Sequence, residues 1–185
     1  MKLSIQLPEL TRALSFLGEA TSQQIITPTS NSLFNITALT AANNASRLEC
    51  WQLSASPVLG GGGVNYVLGD AFTQARLGVI PPNTMTGTLS NAPAVQYTIF
   101  LSGLVHIRTP HSGLPDHLNA VYMTGGRYGM LLAADVKQVA HKGHVTTFPG
   151  LQRTLIAQFP VADSKVPEHS LVHEGPCTDA DLADL

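Results

Sequence analysis

Between Leu48 and Val161 the chain is cut into segments four to eight residues long, each bounded by Gly, Pro, Asn, Asp or Ser. Glu49–Ser54, Val64–Leu68, Thr73–Ile80, Gln96–Leu101, Leu104–Thr109, Ala120–Met123, Gly129–Ala134, Val145–Phe148 and Leu155–Val161 are rich in β-branched and aromatic residues. That length and content are those of strands. No helical stretch long enough for a parallel crossover separates them, so the chain is expected to be all-β, an antiparallel sandwich or barrel. With 16 glycines and 12 prolines in 185 residues, turns are frequent enough to supply the corners.

The two ends have a different character. From Pro8 to Ala20 the apolar Leu10, Ala13, Leu14 and Leu17 recur at helical spacing behind a proline suited to a first turn, which predicts a short amphipathic helix. Residues 21–46 are rich in Ser, Thr and Asn and read as loop with one edge strand at most. Residues 1–46 are therefore expected to form an extension and residues 47–162 the main body. Residues 163–185 hold six of the twelve acidic residues and are expected to be a mobile acidic tail, with Thr178 to Asp181 capping one helical turn.

Composition excludes several partners. A net charge of −2 with scattered Lys and Arg offers no basic stripe for nucleic acid or an anionic membrane, and no window holds the roughly 18 apolar residues of a spanning helix. Glu9 and Arg12 interrupt the apolar run a signal peptide needs, which favours a cytoplasmic protein. The sequons at Asn35 and Asn44 keep a secreted alternative open. Cys50 and Cys177 lack metal-ligand spacing, and a bridge between them would require the tail to fold back on the body, so two free thiols are expected. The glycine run 60–63 lacks the Lys-Ser or Lys-Thr of a phosphate loop and reads as a hairpin turn.

Two stretches carry the remaining information. Ser90-Asn-Ala-Pro-Ala-Val-Gln96 leads into a strand that closes at Gly103, seven residues after Gln96, and a later strand is entered through Lys142-Gly143-His144, preceded by Gly129-Met-Leu-Leu-Ala-Ala-Asp135. From about Val64 to Val161 this order resembles the cupin superfamily, in particular small fungal cupins similar to quercetin-dioxygenase-like proteins. The resemblance implies a jelly-roll barrel, a homodimer, and a pocket to which Gln96 and His144 contribute. It departs from the family at the metal site. The two positions where the first motif places histidines, six and four residues before Gln96, are Ser90 and Ala92, so one imidazole and one amide remain. That is short of a tight transition-metal set, and no metal or other cofactor is expected.

If Gln96 points inward, as the family spacing implies, strand period sends Thr98 and Phe100 inward too, and the same count from His144 takes Thr146 and Phe148. An apolar cavity with a few placed polar groups is the constitution of a small-molecule site. A buried imidazole resists charging and can accept a proton at neutral pH, with Gln96 orienting it or holding a substrate oxygen. His144 and Gln96 are thus the catalytic candidates. Tyr66, Arg76 and His141 join the lining as candidates for substrate contact. His106 alternates with Val105 and Ile107 and is expected on the outer face. The leading reading is a metal-independent lyase, isomerase or cyclase acting by proton transfer on a hydrophobic, aromatic or polyketide-like metabolite. A metal-dependent dioxygenase with rearranged ligands and a non-catalytic binding protein are the alternatives.

Overall fold

The computed structural model describes residues 34–60, 63–85 and 87–183. The helix expected over residues 8–20 lies outside them. Thirteen strands occur among the described residues: β1 Phe34–Ala42, β2 Ala45–Leu53, β3 Pro57–Gly60, β4 Gly63–Tyr66, β5 Arg76–Ile80, β6 Thr84–Met85, β7 Gln96–Ser102, β8 Leu104–Arg108, β9 Ala120–Thr124, β10 Met130–Ala133, β11 Val145–Phe148, β12 Thr154–Pro160 and β13 His169–Glu174. Each of the nine segments read from turn spacing overlaps one of these. The described residues are all-β, with two short 3-10 turns and no α-helix.

A seven-stranded sheet runs β13-β2-β1-β10-β7-β12-β5, and a four-stranded sheet runs β6-β11-β8-β9. All pairings between these strands are antiparallel except β1 with β10, which are parallel in the register Thr37 to Leu131. The two sheets face each other across one core. Leu39, Leu48, Phe100, Leu131 and Ala133 from the large sheet meet Val105, Ile107, Met123 and Phe148 from the small one. The other face of the large sheet carries a second cluster, Phe34, Ile36, Trp51, Leu53, Tyr97 and Leu132, against which Tyr66 of the β3-β4 hairpin packs. The central strands of the large sheet are thus buried on both faces, with successive residues of β1 and β7 alternating between the two clusters. Tyr97 follows this parity: its ring joins the outer cluster, its hydroxyl donates to the Leu68 carbonyl at 2.8 Å, and burial pushes its pKa up to about 12.

Three expectations are corrected. The region read as loop is, from Phe34 on, a nine-residue strand in the interior of the large sheet. The segment read as a mobile tail forms β13, which pairs with β2 from His169 to Glu174. This pairing carries the chain back over the body, and Cys177 is bonded to Cys50 in a disulfide that spans 127 residues of sequence. The thiols are not free because β13 supplies the return path that a bridge needs. Beyond it, Asp181 accepts from the Thr178 hydroxyl and backbone N–H, both at 2.6 Å, closing the expected one-turn cap.

Glycine is required at the end of β7. Gly103 has φ +86°, and a Cβ there would stand 2.2 Å from Thr154 Oγ1 on the neighbouring β12, so the sharp exit toward β8 admits no side chain.

Candidate active site

Between the sheets lies a cavity of about 160 Å³. Gln96, Thr98 and Phe100 of β7 line it together with Thr146 and Phe148 of β11, His144, and the apolar Ile107, Leu131 and Ile156. The alternation along β7 and β11 brings these side chains to one space: even-numbered residues face inward on both strands. Gln96 is buried, and its amide makes one long bond, 3.4 Å, to the Thr98 hydroxyl.

The segment Ser90–Ala92 runs beside this cavity, and its Asn91 and Ala92 line it. Ser90 and His144 form an antiparallel bridge, each N–H donating to the other's carbonyl at 2.8 Å, and Ala92 bridges Val136 in parallel. Asn91 Nδ2 ties the same segment to the carbonyls of Asp135 and Ala140. Gly143 makes the close approach possible. It sits at φ +59°, and a Cβ would lie 2.6 Å from the Ser90 carbonyl oxygen.

Under His144 lies a residue the sequence did not single out. Asp135 is fully buried, and its Oδ2 lies 2.6 Å from His144 Nδ1 and accepts the Ser46 hydroxyl at 2.6 Å, while Oδ1 accepts the Ala92 N–H at 3.3 Å. A fully buried carboxylate is rare unless paired. Here every neighbour is a donor, so in the neutral ring the proton sits on Nδ1 and Nε2 presents its lone pair. That lone pair faces the Ser90 hydroxyl at 3.4 Å. The arrangement therefore holds an imidazole base in one tautomer beside an apolar cavity. A lone Asp at the end of the apolar run Met130–Ala134 was the available sequence signal.

The remaining sequence candidates lie elsewhere. Tyr66 packs on Phe34, with ring centroids 5.1 Å apart, at the second cluster and not at this cavity. Arg76 is exposed at the start of β5, which ends the large sheet. His141 is exposed on the β10-β11 loop, its backbone N–H held by Asn44 Oδ1 at 3.1 Å. Tyr66 and Arg76 come from strands that reach the other cluster and the sheet edge, and a sequence without register could not separate those positions from the cavity. His106 stacks on Tyr122 at 3.9 Å outside the core, and burial first, then the Arg108 charge, lowers its pKa.

The donors at the cavity do not fit a tight transition-metal site. One imidazole is present beside neutral amides (Asn91, Gln96 and Gln158) and two threonine hydroxyls, and both oxygens of Asp135 are already engaged. The sole group of three metal-type side chains among the described residues is Cys50, His173 and Asp181, and its sulfur is in the disulfide. A larger cavity, about 470 Å³, adjoins the second cluster and is bordered by Asp70, Lys165 and Glu168. These three are exposed, and no histidine or cysteine lines it.

Comparison with protein-family models, with curated proteins and with solved structures finds no match to this chain.

Proposed function

We propose that the protein is a metal-independent small-molecule enzyme in which His144 Nε2 removes a proton from a hydrophobic substrate held between the sheets, giving lyase, isomerase or cyclase chemistry. One observation carries this reading: the fully buried Asp135 bonded at 2.6 Å to Nδ1 of an imidazole that lines an apolar cavity. Carboxylate orientation of a histidine is a recurrent way to prepare a general base, and such bases contribute about 10²–10⁴-fold. The cavity, at about 160 Å³, is below the roughly 300–1,000 Å³ of drug-sized sites, which favours a small or monocyclic metabolite over an extended polyketide. Gln96 holds a substrate oxygen.

The two facing sheets and the Gln96–Gly103 spacing support a cupin-type jelly roll. β5 ends the large sheet among the described residues, with Leu77 and Val79 exposed, and this supports a homodimer formed along that edge. The disulfide supports an oxidising compartment, hence a secreted protein rather than the cytoplasmic one expected from the N-terminal sequence. No helix among the described residues is long and apolar enough to cross a membrane.

The base is tested without knowing the substrate by ring-opening elimination of 5-nitrobenzisoxazole, a reaction that needs only proton removal from carbon. Wild-type protein is expected to accelerate it over buffer, and His144→Ala to cut that acceleration about 100-fold or more. Equal rates for the two proteins, both folded by circular dichroism, would remove His144 from the mechanism.

A further inference from the structure

Ser90 is the one element of the site that proton abstraction from carbon does not use. It is exposed and stands opposite His144 in the antiparallel bridge, with Oγ 3.4 Å from Nε2 and 3.5 Å from the His144 carbonyl. Asp135 Oδ2, His144 Nδ1, His144 Nε2 and Ser90 Oγ then form one chain: carboxylate, imidazole, hydroxyl. This is the order of groups that turns a serine hydroxyl into a nucleophile, and it is recognised by geometry and roles on any fold. The Oγ to Nε2 distance is longer than a closed hydrogen bond, as such contacts often are before a substrate is bound.

Three features set this pair apart from an incidental surface serine. The two residues are fixed relative to each other by reciprocal backbone bonds of 2.8 Å, so their side chains share one face of the bridge. The tautomer is settled on the far side of the ring by a carboxylate that is fully buried. And Gly143, whose φ of +59° and contact with the Ser90 carbonyl admit no side chain, brings the two backbones together at this point. Ser90 is exposed to solvent, and its partner His144 lines the apolar cavity, which would receive the substrate's hydrocarbon part.

We infer that Ser90 is a covalent nucleophile and that the site takes carboxylic esters of small acyl groups, cyclic esters included. The inference rests on the Asp135–His144 base proposed above. In the first half-reaction the Ser90 Oγ–acyl bond forms, the Oγ proton passes to His144 Nε2, and the ester C–O bond breaks with that proton leaving on the alcohol. In the second, water gives a proton to Nε2 while its oxygen bonds to the acyl carbon, the Ser90 Oγ–acyl bond breaks, and the proton returns from Nε2 to Oγ as the acid is released. Gln96, with an amide N–H not committed beyond one 3.4 Å contact, donates to the carbonyl oxygen. A single side-chain donor supplies only part of a full oxyanion site, each well-placed donor contributing about 10²–10³-fold. Esters, whose alkoxide leaves readily, are therefore favoured over amides.

The test uses full-length protein with a fluorophosphonate and p-nitrophenyl acetate as probes, run beside 5-nitrobenzisoxazole elimination. One phosphonyl adduct per chain, mapped to Ser90 by peptide mass spectrometry and absent from Ser90→Ala, is expected, together with an ester hydrolysis rate at least 100-fold lower in that variant. An unlabelled Ser90 in wild-type protein that still performs the elimination would overturn the nucleophile while leaving the base in place. Loss of both reactions in wild-type protein would overturn the base and the nucleophile together. Ser90→Ala hydrolysing the ester at the wild-type rate would likewise remove Ser90.

Discussion

Asp135→Asn is expected to leave the chain folded and to cut 5-nitrobenzisoxazole elimination about 100-fold or more. The reason lies in the donors around the carboxylate. Oδ1 accepts the Ala92 N–H, and Oδ2 faces both His144 Nδ1 and the Ser46 hydroxyl. An amide can satisfy all three neighbours in one orientation, with its oxygen toward the Ala92 N–H and its NH₂ toward Nδ1 and the Ser46 oxygen. In the opposite orientation two N–H donors would meet at Ala92, a buried clash. The favoured orientation makes Nδ1 an acceptor, so the imidazole proton moves to Nε2 and the base is blocked.

Asp135→Ala acts differently. It leaves a buried hydroxyl, a ring N–H and a backbone N–H without their acceptor, and breaking such a buried pair costs about 3–5 kcal/mol. A merely structural Asp135 would make the Asn variant nearly silent, because its hydrogen bonds are kept. Nitrogen-15 NMR of the His144 ring separates the cases. Wild-type protein is expected to show the proton on Nδ1 and Asp135→Asn to show it on Nε2. An unchanged tautomer with an unchanged elimination rate would make Asp135 a packing residue.

What could be read in the sequence follows from what is periodic there. β7 and β11 alternate between an inter-sheet face and another, so counting by two from Gln96 and from His144 reaches residues that line one cavity. β1 escaped because its alternation, Phe34-Asn35-Ile36-Thr37-Ala38, is short and breaks at Leu39, where the strand turns apolar side chains to both clusters, and it sits in a stretch rich in Ser, Thr and Asn. β13 escaped because it is an exposed edge strand, and its place depends on pairing with β2, far away in sequence. Asp135 is the sharpest case. Its neighbours Ser46, Ala92 and His144 come from three segments that only the sheet topology brings together, and no local pattern marks such a meeting point. Long-range register decides it, and a single sequence does not carry that.

Replacing Cys177 with Ala is expected to lower stability by about 3–5 kcal/mol and Tm by roughly 10 °C. The bridge closes a loop spanning 127 residues, and the chain-entropy model gives about 5 kcal/mol for a loop of that size. Against a typical total of about 5–15 kcal/mol this is a large fraction. The loss should begin locally. Cys50 is buried on β2 beside Thr37 of β1 and His173 of β13, and the Cys177 N–H is held by the Thr37 hydroxyl at 3.0 Å. Without the bridge, β13 and the Thr178–Asp181 turn depend on β-pairing and on the His173 Nε2 contact with Asp181 at 3.1 Å.

That contact makes the variant's behaviour pH-dependent. The Glu174 carbonyl and then the Asp181 carboxylate raise His173 above its ordinary 6.5, so its contribution is complete below 6.5 and fades as pH rises through the raised value. Burial pushes Asp181 upward, but bonds from the Thr178 hydroxyl and N–H and from His173 outweigh it and hold the carboxyl below its ordinary 3.8. Its contribution is complete above 3.8 and fades as pH falls through the lowered value. In Cys177→Ala, amide hydrogen exchange, corrected for the intrinsic effect of pH, is therefore expected to show β13 best protected between about pH 3.8 and pH 6.5, with protection falling on either side. The pair is half-exposed and screened, so the swing is modest beside the loss of the bridge. In wild-type protein the covalent tether keeps β13 at high local concentration beside β2, and protection should change little over the same range. Equal exchange at β13 in the two proteins would show that strand pairing alone holds the tail, and that the disulfide adds nothing to it.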